Sequence, residues 1–165
     1  MTARPDITAY RPCVGIILFN KDGLVWIGRR FEKQNDDGIG KWWQMPQGGI
    51  DEGEDIEAAA RRELYEETSV KAVSLMKESE RWYTYDLPED LIGKSWKGKY
   101  RGQKQKWFAF RFKGKDEDIN LVVPGHKQEF DEWRWVKIDE LIDLIIPFKR
   151  AVYEELVRDF RDLGA

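Results

Sequence analysis

The sequence predicts an α/β fold in which a mixed β-sheet is sandwiched between helices, on three observations. Short apolar runs rich in β-branched and aromatic residues recur from Val14 to Val136. Two segments, Glu54–Thr68 and Phe148–Leu163, instead carry a helical period. No repeat, low-complexity tract or Pro/Gly/Ser linker divides the 165 residues, a length that suits one layered domain over 1–165.

The elements follow in order. Val14–Phe19, the Asn20–Gly23 turn and Leu24–Ile27 read as a β-hairpin. Phe31–Lys41 is polar and crowded with Asn35, Asp36, Asp37, Gly38 and Gly40, so a surface loop is expected. Trp42–Met45 resumes an extended segment, and Gln47–Gly53 is a glycine-rich turn. In Glu54–Thr68, Ile56, Ala60 and Leu64 recur every four residues, which makes one face apolar. Val70–Leu75, Arg81–Leu87, Lys106–Phe112 and Trp133–Val136 read as strands. The last helix places Phe148, Val152, Leu156 and Phe160 on one stripe against the sheet. Most of the eight tryptophans are expected in the core.

Composition narrows the chemistry. A balance of 28 Lys+Arg against 31 Asp+Glu, net −3, is not that of a polycation built for indiscriminate nucleic-acid binding, so any anion site must be local. Cys13 is the sole cysteine and His126 the sole histidine, which removes disulfides, Cys-rich zinc sites and a His-centred triad. The N-terminal segment has no secretory apolar region and Val14–Phe19 is too short to span a bilayer; a reducing, cytoplasmic location is expected, with no membrane association.

What remains is carboxylate and metal chemistry. Glu63, Glu66 and Glu67 stand at i, i+3 and i+4, on roughly one helix face. Such a trio on an arbitrary helix is an ordinary solvated acidic surface, because each like-charged pair costs only a few tenths of a kcal/mol, that is about 0.2–0.5 kcal/mol. The surroundings alter that reading. Gly48, Glu54, Arg62, Glu63, Leu64, Glu66, Glu67 and Val70 fall in the order Gx5Ex7REUxEExGU, where U is apolar. Over 48–70 this resembles the Nudix box, and implies the Nudix fold. The sole departure is Ser69, where the pattern has glycine just past a helix end and φ > 0 is often required.

That resemblance implies a loop–helix–loop of hard oxygen ligands suited to Mg²⁺ or Mn²⁺, with more than one ion bound. It names Glu63, Glu66 and Glu67 as metal ligands, adds the Gly48 carbonyl, and gives Arg62 and Glu54 an orienting ion-pair role. Further segments, among them Tyr10–Pro12, Trp43–Gly49, Gly102–Phe108, Glu129–Trp135 and Phe148–Arg150, resemble the bacterial RNA pyrophosphohydrolases and the dinucleoside polyphosphate hydrolases of bacteria and plants. This closer resemblance implies a further metal ligand or general base at Glu129, with Glu66 the competing base. It also implies substrate contacts at Arg11, Arg30, Tyr85, Gln103 and Lys149, with Ile146 near the nucleobase. Six basic residues between Lys94 and Lys106, interleaved with Trp96 and Tyr100 and free of acids, are a candidate surface for an RNA 5′ end.

The expected activity is hydrolysis of nucleoside 5′-polyphosphate linkages, either at RNA 5′-triphosphate ends or in dinucleoside polyphosphates such as diadenosine tetraphosphate. No obligate protein partner is implied. Two alternatives stand beside it: a catalytically idle module that binds nucleotide or RNA, and a hydrolase of sugar nucleotides or aberrant nucleoside triphosphates.

Overall fold

A computed structural model describes residues 9–31, 42–89 and 100–164. The expected loop from residue 32 to 41 and the basic stretch from 94 to 99 lie outside the described residues.

Two long strands form the centre of the sheet. Strand β1 (Tyr10–Phe19) runs parallel to β7 (Gly102–Phe112), in register from Tyr10 opposite Gly102 to Phe19 opposite Arg111. Their second halves, Val14–Phe19 and Trp107–Phe110, are covered on two faces, which is why these read as nearly unbroken apolar runs rather than as alternation. On one face Ile17, Phe19, Trp107 and Ala109 join a core with the C-terminal helices. On the other, Val14, Ile16, Leu18, Phe108 and Phe110 pack with Ala59, Ala60 and Leu64 of helix α1 (Ile56–Thr68). Helices on both faces give the expected three layers.

Antiparallel strands complete the sheet. Among the described residues these are β2 (Val25–Arg30), β3 (Trp43–Gln44), β4 (Gln47–Gly49), β5 (Val73–Glu78), β6 (Tyr83–Asp86) and β8 (Phe130–Val136). The order is β3-β2-β1-β7-β5, with β4 on β1, β6 on β7 and β8 on β2. Thus β7 is flanked by β1 on one side and by β5 and β6 on the other.

Local chemistry sets the ends of α1. Asp55 caps its start by accepting the Ala58 N–H at 3.0 Å. Ser69 ends it at φ 69°, in the left-handed region, with its N–H on the Tyr65 carbonyl. The C-terminal helix has one continuous α segment, α3 (Arg150–Phe160), behind a short helix α2 (Leu141–Leu144), with 3₁₀ turns at Pro147–Lys149 and Arg161–Gly164. Of the tryptophans, Trp26 and Trp107 are fully buried, whereas Trp42, Trp43, Trp133 and Trp135 sit half-buried against the two cores.

Two readings shift. Gln47–Gly49, expected within a turn, is a strand because Gly15, Val14 and Cys13 of β1 pair with it residue by residue. Strand β5 begins at Val73, later than the expected Val70, because Val70 is drawn into the α1 core.

Candidate active site

The β4–loop–α1 unit gathers the acidic residues around one guanidinium. Arg62 donates from Nε and Nη2 to both oxygens of Glu54 (2.8 and 2.9 Å), from Nη1 to Glu63 (2.9 Å) and Glu66 (3.1 Å), and from Nη2 to the Gly49 carbonyl (2.9 Å). All five N–H donors of the side chain are thereby used. The bidentate contact holds the Glu54 carboxyl below its usual range. Glu54 in turn accepts the Asp51 N–H at 3.0 Å, which closes the loop onto the helix.

Beneath this cluster the backbone has no room to spare. A Cβ on Gly48 would stand 2.1 Å from the Glu63 carboxyl carbon. Burial pushes the Glu63 carboxyl up to about 7 despite Arg62, and the charges of Glu66 and Glu129 add to the rise. Glu67 is 5 % exposed and accepts the Gln47 N–H at 3.2 Å. Burial first, then Glu63 and Glu129, drives its carboxyl well above the ordinary value. Glu129 lies in the loop before β8, half-buried, its carbonyl bonded by the Phe31 N–H.

Four carboxylates therefore press on one another electrostatically with one arginine among them. Among the described residues no three acidic, histidine or cysteine side chains converge closely enough to clasp a metal ion as they stand. Arg62 Nη1 lies between Glu63 and Glu66 instead, the arrangement that like charges take up around the nearest cation. The donor set still fits a hard divalent cation. It is made of oxygens only, and Glu67 is a buried carboxylate with no Lys, Arg or His paired to it among the described residues.

On the opposite face of the sheet lies a basic region. Arg11 on β1 stands opposite Gln103 on β7, which stands opposite Tyr85 on β6. Tyr85 is buried, a state that raises its phenol, while Arg11 and Arg30 bear on it electrostatically. Lys149 is buried with its Nζ 5.7 Å from the Tyr85 ring centre. Ile146 is buried three residues before it and accepts the Lys149 N–H. The six residues expected to contact substrate thus belong to one region, and the four acids to the neighbouring one.

The sequence reading missed three participants. His126 Nδ1 lies 3.5 Å from Glu66 Oε1. Gln105 donates to Gln47 beside that basic region. His126 is the sole histidine of the sequence, and no spacing rule links it to Glu66. The two glutamines fall within the resembling segments Trp43–Gly49 and Gly102–Phe108, but nothing in the sequence pairs them with each other.

A family model described as NUDIX domain matches residues 9–159. The chain belongs to the NUDIX family. It is 55% identical over 165 residues to the RNA pyrophosphohydrolase of Brucella anthropi, covering 98% of this chain and 95% of that protein. The RNA pyrophosphohydrolase of Brucella ovis is 54% identical, covering 98% of this chain and 93% of its own. Among solved structures, the E. coli dihydroneopterin triphosphate pyrophosphohydrolase matches with a TM-score of 0.67 at 19% identity, over 92% of this chain and 99% of that one. A C. elegans Ap4A hydrolase matches with a TM-score of 0.60 at 15% identity, over 91% and 98%. At those identities the two structures speak for the Nudix fold alone. Nudix hydrolases cleave acid anhydrides and generally use divalent metal ions. Among the described residues no helix is long and apolar enough to cross a membrane.

Proposed function

We propose that this Nudix hydrolase releases pyrophosphate from triphosphorylated RNA 5′ ends and also splits dinucleoside polyphosphates such as diadenosine tetraphosphate. The chain works as one Nudix domain in the cytoplasm. Mg²⁺ or Mn²⁺, more than one ion, would be held by Glu63, Glu66, Glu67, Glu129 and the Gly48 carbonyl. Bound there, such ions neutralise phosphate oxygens and make water a usable nucleophile at neutral pH.

One observation carries this reading. A Cβ on Gly48 would strike the Glu63 carboxylate, and a Cβ on the next residue, Gly49, would come within 2.5 Å of Arg11 Nη2. Acid and guanidinium thus approach consecutive residues of one short strand from its two sides. A polyphosphate lying across that strand would have Arg11, Arg30 and Lys149 at one end and, at the other, the carboxylates that would hold the metal.

The remaining roles follow from placement. Arg62 and Glu54 orient α1 against β4. Tyr85 and Gln103 contact phosphate, and Ile146 offers an apolar surface to the base. Glu66 is tied to Arg62 at 3.1 Å, whereas Glu129 comes from a loop, which favours Glu129 over Glu66 as the group that takes the proton from water.

The test is substrate competition with Mg²⁺ or Mn²⁺ present. Triphosphorylated RNA should yield pyrophosphate, and diadenosine tetraphosphate should slow that release by occupying the same site. Turnover of neither substrate would refute the proposal.

A further inference from the structure

Beside the basic region, a chain of side-chain amides has its direction set by a tryptophan. An indole N–H can only donate, and Trp107 Nε1 donates to Gln105 Oε1 at 2.9 Å. The Gln105 oxygen must therefore face the indole, which turns its NH₂ the other way. That NH₂ donates to Gln103 Oε1 at 2.8 Å and to Gln47 Oε1 at 3.2 Å. Each acceptor then offers oxygen to Gln105 and must carry its own NH₂ on the far side. Gln103 and Gln105 are 3 % and 1 % exposed, so misdirected amides would leave buried groups unmatched, at a cost of about 1–3 kcal/mol each.

The tryptophan at the head of this chain is itself fixed. Its ring lies over Gly15, where a Cβ would come within 2.4 Å, and meets Tyr153 edge-on with ring centres 6.0 Å apart. The Tyr153 hydroxyl is held by the Met45 N–H. At the other end, Gln103 stands opposite both Arg11 and Tyr85, and Gln47 adjoins Glu67 through its backbone N–H.

We propose that Trp107 and Gln105 are positioning residues that hold Gln103 and Gln47 as NH₂ donors toward the polyphosphate, an acceptor-only group. Glutamine alone has no preferred sense toward an anion, since its oxygen repels what its NH₂ attracts. The indole breaks that symmetry from inside the core. This inference rests on the reading that the region around Arg11 and Gln103 binds polyphosphate.

The test uses Gln105→Glu, Gln105→Met and Trp107→Phe in the full chain. Gln105→Glu still accepts from the indole but can no longer donate, so Gln103 and Gln47 turn their oxygens away from it, toward the polyphosphate. Gln105→Met removes the chain of bonds without reversing it. KM for triphosphorylated RNA should rise in the order Met variant, then Glu variant, by about tenfold or more for the latter, with a smaller fall in kcat. Trp107→Phe should move KM in the same direction. Binding of inorganic tripolyphosphate to the metal-free protein, measured by calorimetry, should weaken in parallel. If the wild type turns over no RNA, the functional reading fails while the tripolyphosphate measurement still tests the amide chain. Unchanged tripolyphosphate affinity in folded Gln105→Glu and Gln105→Met, or a loss of kcat at constant KM, would overturn it.

Discussion

The carboxylate of Glu63 occupies the space in which a side chain at Gly48 would begin, 2.1 Å from the position of its first carbon. Gly48→Ala must therefore displace Glu63, since the β4 backbone is paired with β1 and cannot retreat. A misplacement of about 1 Å at a reacting centre costs about 10²-fold in rate. Steady-state turnover of Gly48→Ala should fall by that order while its melting temperature stays close to wild type.

Arg62 is a fork used on every tine. A lysine has the charge but cannot reach both Glu54 oxygens, Glu63, Glu66 and the Gly49 carbonyl together. Arg62→Lys should lose about 10- to 100-fold in turnover, the range typical when groups orienting metal ligands are removed. Kinetics alongside circular dichroism separates this from unfolding; full activity in a folded variant would contradict the orienting role.

Ser69 adopts φ 69°, and its hydroxyl donates to the Asn120 carbonyl at 2.8 Å. Left-handed backbone strains a residue with a Cβ by roughly 1–2 kcal/mol, and the hydroxyl bond offsets about 0.5–1.5 kcal/mol of it. Denaturant unfolding should place Ser69→Gly near wild type and Ser69→Ala about 1 kcal/mol below both. Equal stabilities of the Ala and Gly variants would contradict this strain.

The Asp159 carboxyl responds to burial, which raises it, and to hydrogen bonds from Tyr83, Arg158 and Arg81, which outweigh burial and hold it below its usual 3.8. The folded protein releases this proton more readily than the unfolded chain. The stability it contributes is therefore present above that value and lost as pH falls through the folded one. Asp159→Asn should lower the melting temperature at neutral pH, and the gap to wild type should narrow as pH falls below 3.8.

Cys13 is fully buried, and burial pushes its thiol up to about 11. A thiol so protected has almost no thiolate at about pH 8. A disulfide reagent should leave the native protein unmodified and label one cysteine once it is unfolded.

How much of this was legible beforehand depended on whether the signal was local. The helix α1 was readable because Ile56, Ala60 and Leu64 repeat at its own period, and Asp55 as cap explains why it starts two residues later than Glu54. The ion pair of Arg62 with Glu54 was implied by the resemblance to the Nudix box, and the left-handed Ser69 by its place just past the helix end, where that pattern has glycine. Strand β4 was hidden because two glycines favour a turn, and only pairing with β1 extends them. His126 near Glu66 and the Trp107–Gln105–Gln103 chain depend on contacts between distant strands and loops, which no periodicity encodes.

The most direct test of the central claim is pyrophosphate release from triphosphorylated RNA by wild type and Glu67→Gln, with Mg²⁺ and with a chelator. Release should stop in the chelator and fall by about two orders of magnitude or more in the variant, because a divalent ion and the α1 carboxylates act together. Undiminished release in the chelator, or by the variant, would contradict it.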